Sequence, residues 1–107
     1  MMPPRLRPLL LELEARLSKT FAGRSCEVRL FGSYVRGEAT EDSDVDVLVL
    51  LDRLDPPEIA TVADIATGLA IETGIDFAAV PMTRAHWADT GPGRGFVREL
   101  HRESERP

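Results

Sequence analysis

Five consecutive apolar residues, Val47-Leu48-Val49-Leu50-Leu51, follow directly on Ser43-Asp44-Val45-Asp46, and this junction constrains the fold more than any other segment. A run that is apolar on both faces reads as a strand covered on both sides, and therefore as one in the middle of a sheet. Successive strand side chains point to opposite faces, so Asp44 and Asp46 share one face while Val45 and Val47 share the other. The expected strand over 44–51 thus carries two carboxylates at one end. Held side by side, they repel each other unless a cation sits between them.

The segment upstream is suited to a phosphate. Cys26-Glu27-Val28-Arg29-Leu30-Phe31 alternates as a half-buried strand does and runs into Gly32-Ser33-Tyr34-Val35-Arg36-Gly37. Glycine lacks the Cβ that would hold a ligand away from the backbone. A short helix opening here points its first N–H groups at whatever Gly32 and Ser33 hold, and Gly37 ends it. Residues 38–43 are polar and read as loop.

Elsewhere the pattern alternates between helix and strand. Leu6, Leu9, Leu10, Leu13 and Leu17 recur at helical spacing from Pro4 to Phe21, and the helix stops near Gly23. Pro56 or Pro57 suits the first turn of a second helix through Ile59, Val62, Ile65, Ala66 and Leu69 that ends at Gly74. Ile75-Asp76-Phe77-Ala78-Ala79-Val80 reads as a third strand closed by Pro81, in which Asp76 is a lone charge that is costly unless it is paired or binds a metal. A Gly-rich loop over 90–95 precedes a last helical pattern from Phe96 to about Arg102. The order predicts an α/β or α+β sheet covered by helices.

Length and charge narrow the function classes. The 107 residues form one expected domain, 1–107, with no room for a separate substrate-binding domain. A formal net charge of -5 argues against direct binding of nucleic acid along a long footprint. The single Cys26 excludes an internal disulfide and is expected as a small core side chain, and the N-terminus lacks the apolar stretch of a signal peptide. No run is long and apolar enough for a membrane span, so a cytoplasmic protein is expected.

Two rival motifs fail on their own residues. The spacing of Gly32 and Gly37 imitates a P-loop, but Glu38 and Ala39 stand where Lys and Ser or Thr are needed. Asp42, Asp44 and Asp46 imitate the start of an EF-hand loop, whose glycine position is Val47 and whose closing Glu is Arg53. A solvated acidic edge is the remaining plain reading, and alone it would prevail. The coincidence of a Gly-Ser turn, a carboxylate pair leading into a buried strand, and a third Asp in an apolar segment outweighs it.

Gly32-Ser33-x-x-Arg36-Gly37, then Ser43-Asp44-x-Asp46, then Asp76 resembles the signature of the polymerase-β-type nucleotidyltransferases over roughly residues 26 to 80. The chain is most similar to their minimal nucleotidyltransferase (MNT) group, members of which are antitoxins paired with HEPN ribonuclease toxins. The resemblance implies a polymerase-β-like fold with a small mixed sheet flanked by helices. It assigns Asp44, Asp46 and Asp76 as catalytic carboxylates and ligands of two magnesium ions, with Asp76 nearer the attacking hydroxyl. It assigns Gly32, Ser33, Arg36 and Ser43 to the nucleotide, although pairing of Arg36 with Glu38 or Glu41 is an equal alternative.

The activity so implied is transfer of AMP from ATP to a hydroxyl, expected to be a tyrosine, of a partner HEPN ribonuclease. Two alternatives stay open: a binding-only antitoxin that blocks the toxin by contact, and a transferase acting on a small molecule such as an aminoglycoside. Of the other residues, His86 and His101 are expected on the surface, and Trp87 is expected to cover a small patch or meet a partner.

Overall fold

The carboxylate-bearing strand is the middle one of three. The computed structural model describes residues 1–107. Its strands are β1 (Cys26–Phe31), β2 (Val45–Leu51) and β3 (Phe77–Thr83), in the order β1-β2-β3. β1 pairs antiparallel with β2, with Val28 opposite Val49 and Phe31 opposite Asp46. β2 pairs parallel with β3, with Val45 beside Phe77 and Asp46 beside Ala78. The result is the small mixed sheet expected from the polymerase-β-like resemblance.

Helices cover both faces, which is why the middle strand is apolar from Val47 to Leu51. After a 3-10 turn at Pro4–Leu6 come α1 (Arg7–Thr20), α2 (Ser33–Arg36), α3 (Pro56–Thr73), α4 (Arg84–Ala88) and α5 (Gly95–Glu103). Leu10, Leu13 and Leu17 of α1 and Val62, Ala66 and Leu69 of α3 bury Val28, Leu30, Val45, Val47, Val49 and Leu51 on one face. On the other face Leu48 and Leu50 lie under Val97 and Leu100 of α5, with Met82 of β3. Each fully buried Leu or Val contributes about 1.5–3 kcal/mol of transfer free energy, so this two-sided cover fixes β2 and the direction of Asp46. No helix is long and apolar enough to cross a membrane.

Local signals set the ends of the elements. Asp55 and Glu58 form a reciprocal capping box at the start of α3, and Gly74 closes that helix in the left-handed region at φ 73°. Gly37 ends α2 in the same way.

Two sequence expectations change. β3 begins at Phe77, two residues after the expected start, and runs through Pro81 to Thr83. A proline is tolerated because β3 is an edge strand, where its missing N–H faces no neighbour. Asp76 therefore precedes the strand and is exposed. Its charge lies in solvent, and the expected burial cost is absent. The five-residue helix α4 was not expected, because its short polar sequence carries no helical period; Thr83 caps it by accepting from the His86 N–H at 3.2 Å.

The charged tail is anchored to the sheet. Leu30 and Glu105 exchange backbone hydrogen bonds of 2.8 and 2.9 Å, while Arg29 donates to the Ser104 hydroxyl at 2.8 Å and to the Ser104 carbonyl at 3.1 Å. The segment after α5 thus lies against the free edge of β1.

Candidate active site

Three chain segments meet at one end of the sheet: the end of β1 at Phe31-Gly32, the start of β2 at Asp44–Asp46, and the start of β3 at Asp76-Phe77. The backbone N–H of Val45 donates to the Asp76 carbonyl at 2.8 Å. This bond continues the parallel register one step beyond β3, setting Asp76 beside Asp44. Asp44 and Asp76 line one cleft of about 260 Å³ together with Tyr34, Asp42 and Ser43. A larger hollow of about 570 Å³ shares Tyr34, Glu41 and Ile75 with it and extends to Arg5, which lies 5.8 Å from the centre of the Tyr34 ring.

Asp46 is held from the opposite strand. Gly32 has φ 79° and is buried, and a Cβ built on it would collide with Oδ2 of Asp46 and lie 3.0 Å from its Cγ. The glycine is therefore required first by the carboxylate beneath it, and the expected room for a ligand is in part room for Asp46. Burial pushes the Asp46 carboxyl up, and the charge of Asp44 adds to the rise; Arg36 opposes it and Glu103 reinforces it. Asp46 thus feels Asp44, Arg36 and Glu103 at once.

Of the remaining residues of the expected site, Arg36 and Ser43 have side-chain partners within the chain. Ser33 opens α2 directly after Gly32. Arg36 pairs with Glu38 at 3.1 Å and with Glu103 at 2.5 Å. Pairing with Glu38 was one expected alternative; the Glu103 partner comes from the far end of the chain. The Ser43 hydroxyl accepts from the Thr40 N–H at 2.9 Å, tying the 40–43 turn that presents Asp44. Glu103 also accepts from the Gly32 N–H at 3.3 Å. No local sequence signal marks Glu103 for this place, because the path of α5 brings it there.

The donor chemistry suits a hard divalent cation. Asp44, Asp46 and Asp76 offer only carboxylate oxygens, the ligand type preferred by magnesium, whereas zinc favours nitrogen and sulfur. Cys26 stands opposite Leu51 at the other end of the sheet. Trp87 stacks on His101 with ring centres 3.6 Å apart and packs against the Leu48–Leu50 cluster, so both rings belong to the packing of α4 and α5. As they stand, no three His, Cys, Asp or Glu side chains converge as a closed cage.

Residues 10–90 match the family described as "Nucleotidyltransferase domain". The chain belongs to this family. Among curated proteins it is 37% identical over 59 residues to MJ0604 of Methanocaldococcus jannaschii, provisionally named a protein adenylyltransferase; the match covers 55% of each chain. It is 78% identical over 23 residues to the protein adenylyltransferase MntA of Thermococcus cleftensis, covering 22% of this chain and 23% of that protein. The chain thus spans about half or less of the length of these relatives.

Proposed function

We propose that this nucleotidyltransferase domain transfers AMP from ATP to a tyrosine hydroxyl of a partner HEPN ribonuclease and thereby silences it as an antitoxin. The observation that carries the transferase reading is the packing of the Asp46 carboxylate against Gly32, with Asp44 and Asp76 beside it on adjoining segments of the same sheet end. This arrangement supports the reading of the Gly32–Ser33 turn as a phosphate holder set against carboxylates. The names of the two relatives support adenylate as the transferred group and a protein as its acceptor. The HEPN partner rests on the MNT resemblance.

In this reading Asp44, Asp46 and Asp76 would hold two magnesium ions. When bound, the ions supply Lewis-acid stabilisation of the attacking and leaving oxygens at the α-phosphate. The Gly32 N–H and the Ser33 hydroxyl hold the β- and γ-phosphates so that pyrophosphate leaves in line. Arg36 adds positive charge beside them. Asp76, exposed at the mouth of the cleft, orients the acceptor hydroxyl and takes its proton as the new oxygen–phosphorus bond forms and the bond to pyrophosphate breaks. The adjoining 570 Å³ hollow gives the cleft the volume that a reactant larger than a phosphate requires.

Orientation of the acceptor by a partner surface supplies much of the rate advantage, since holding two reactants together removes entropy from the barrier. An adenylate on the toxin places bulk and negative charge where RNA phosphates bind, and both oppose RNase activity. Calorimetric titration of magnesium-ATP into the protein and into the Asp44→Asn/Asp46→Asn double variant tests the nucleotide site. Binding is expected in the first and lost in the second. Equal affinity in both would overturn the assignment.

A further inference from the structure

Glu103 is the last residue of α5, and its side chain is only 11% exposed. That position disfavours a carboxylate, because the C-terminal end of a helix carries partial negative charge. The Asp46 carboxylate adds a second repulsion. Two contacts hold Glu103 in place: its Oε1 lies 2.5 Å from the Arg36 guanidinium, and its Oε2 accepts from the Gly32 N–H at 3.3 Å. Both donors belong to the turn assigned above to the nucleotide phosphates.

We propose that Glu103 is an internal competitor for the nucleotide's β- and γ-phosphates, occupying the Gly32 N–H and Arg36 until magnesium-ATP displaces it and so setting the affinity for ATP. The inference rests on the reading that the Gly32–Ser33 turn holds those phosphates. A carboxylate and a phosphate present similar oxygens to an N–H and a guanidinium, so one excludes the other from the same donors.

Displacement requires little rearrangement. The tail beyond Glu103 is held separately, by Arg29 on Ser104 and by the Leu30–Glu105 backbone pair. Rotation of the Glu103 side chain therefore frees the donors without unwinding α5 or detaching the tail. Arg36 also pairs with Glu38 and is 47% exposed, which gives its guanidinium room to follow a phosphate. When the binding-competent state is only partly populated, apparent affinity falls by that fraction.

Two variants of the full chain test this, Glu103→Gln and Glu103→Ala; alanine suits a helix end and serves if glutamine there disturbs folding. Magnesium-ATP and magnesium-AMP are titrated into each and into the unmodified protein, with thermal unfolding as the check on fold. Removing the competing charge is expected to tighten ATP binding about fivefold and to leave AMP, which lacks the β- and γ-phosphates, unchanged. Unchanged or weaker ATP binding would overturn the proposal, as would equal tightening for ATP and AMP, which marks a general field effect. ATP binding that is equal in all three proteins removes the competitor and keeps the nucleotide site. Absence of ATP binding from all three removes both.

Discussion

Gly32 packs against the Asp46 side chain, so that a Cβ at position 32 would collide with Asp46 Oδ2 and lie 3.0 Å from its Cγ and 3.1 Å from its Cβ. The turn that follows β1 and the carboxylate that opens β2 are thus one packed unit. Gly32→Ala forces both a collision and a left-handed φ of 79°. It is expected to cost about 2–4 kcal/mol and to abolish magnesium-ATP binding. Gly37→Ala, at φ 73° with open space around it, is expected to cost only about 1 kcal/mol and to retain binding. Denaturant unfolding and calorimetry on the pair check this, and equal behaviour of the two variants would contradict it.

Asp46→Asn is expected to stabilise the protein at neutral pH in the presence of a chelator. Burial and the Asp44 charge raise the folded-state pKa of Asp46 above the ordinary 3.8, so the folded protein binds this proton more tightly than the unfolded chain does. The ionised carboxylate then costs stability, and the cost appears as pH rises through the folded value. Thermal unfolding of variant and parent should differ at pH 7 and converge at acid pH. Lower stability of the variant at pH 7 would contradict the sign.

Glu27 has the opposite sign. Burial pushes its carboxyl up, but hydrogen bonds from Arg29, Arg84 and Arg106 outweigh it and hold the pKa below the ordinary 4.5. Its stabilisation is present above that ordinary value and is lost as pH falls through the lowered one. Glu27→Gln is expected to destabilise by about 2 kcal/mol at pH 7, the scale of charge-assisted hydrogen bonds, and by little at acid pH. Unfolding curves across pH check this, and a pH-independent difference would contradict it.

The sequence made β2 legible because burial on both faces leaves a continuous apolar run, and it made β1 legible because one buried face leaves an alternation. The Gly32 turn and the placement of Asp46 at the start of β2 could be read for the same reason: both are set by the local sequence pattern. Asp76 was misread as a buried charge because an apolar neighbourhood in sequence does not say where a strand begins. Pro81 was misread as a stop because edge position is a property of the sheet, not of the residue. Glu103 was missed altogether, since only the packing of Val97 and Leu100 on Leu48 and Leu50 brings the end of α5 to Gly32.

Asp76→Asn is expected to separate binding from chemistry. A group that acts mainly in the transition state shows in turnover, so adenylate transfer should fall about 10²–10⁴-fold while magnesium-ATP affinity stays within about twofold. Single-turnover kinetics and calorimetry on the same preparation check this. Parallel loss of both would make Asp76 a nucleotide-binding residue instead.

Intact-mass spectrometry of a purified HEPN ribonuclease, taken as the proposed partner and incubated with the protein, ATP and magnesium, tests the central claim most directly. The account predicts a gain of one or more adenylate masses on a tyrosine peptide of the ribonuclease, together with loss of RNase activity, and no gain with the Asp44→Asn/Asp46→Asn variant. An unmodified ribonuclease whose activity nevertheless falls would contradict it, because inhibition would then arise from contact alone.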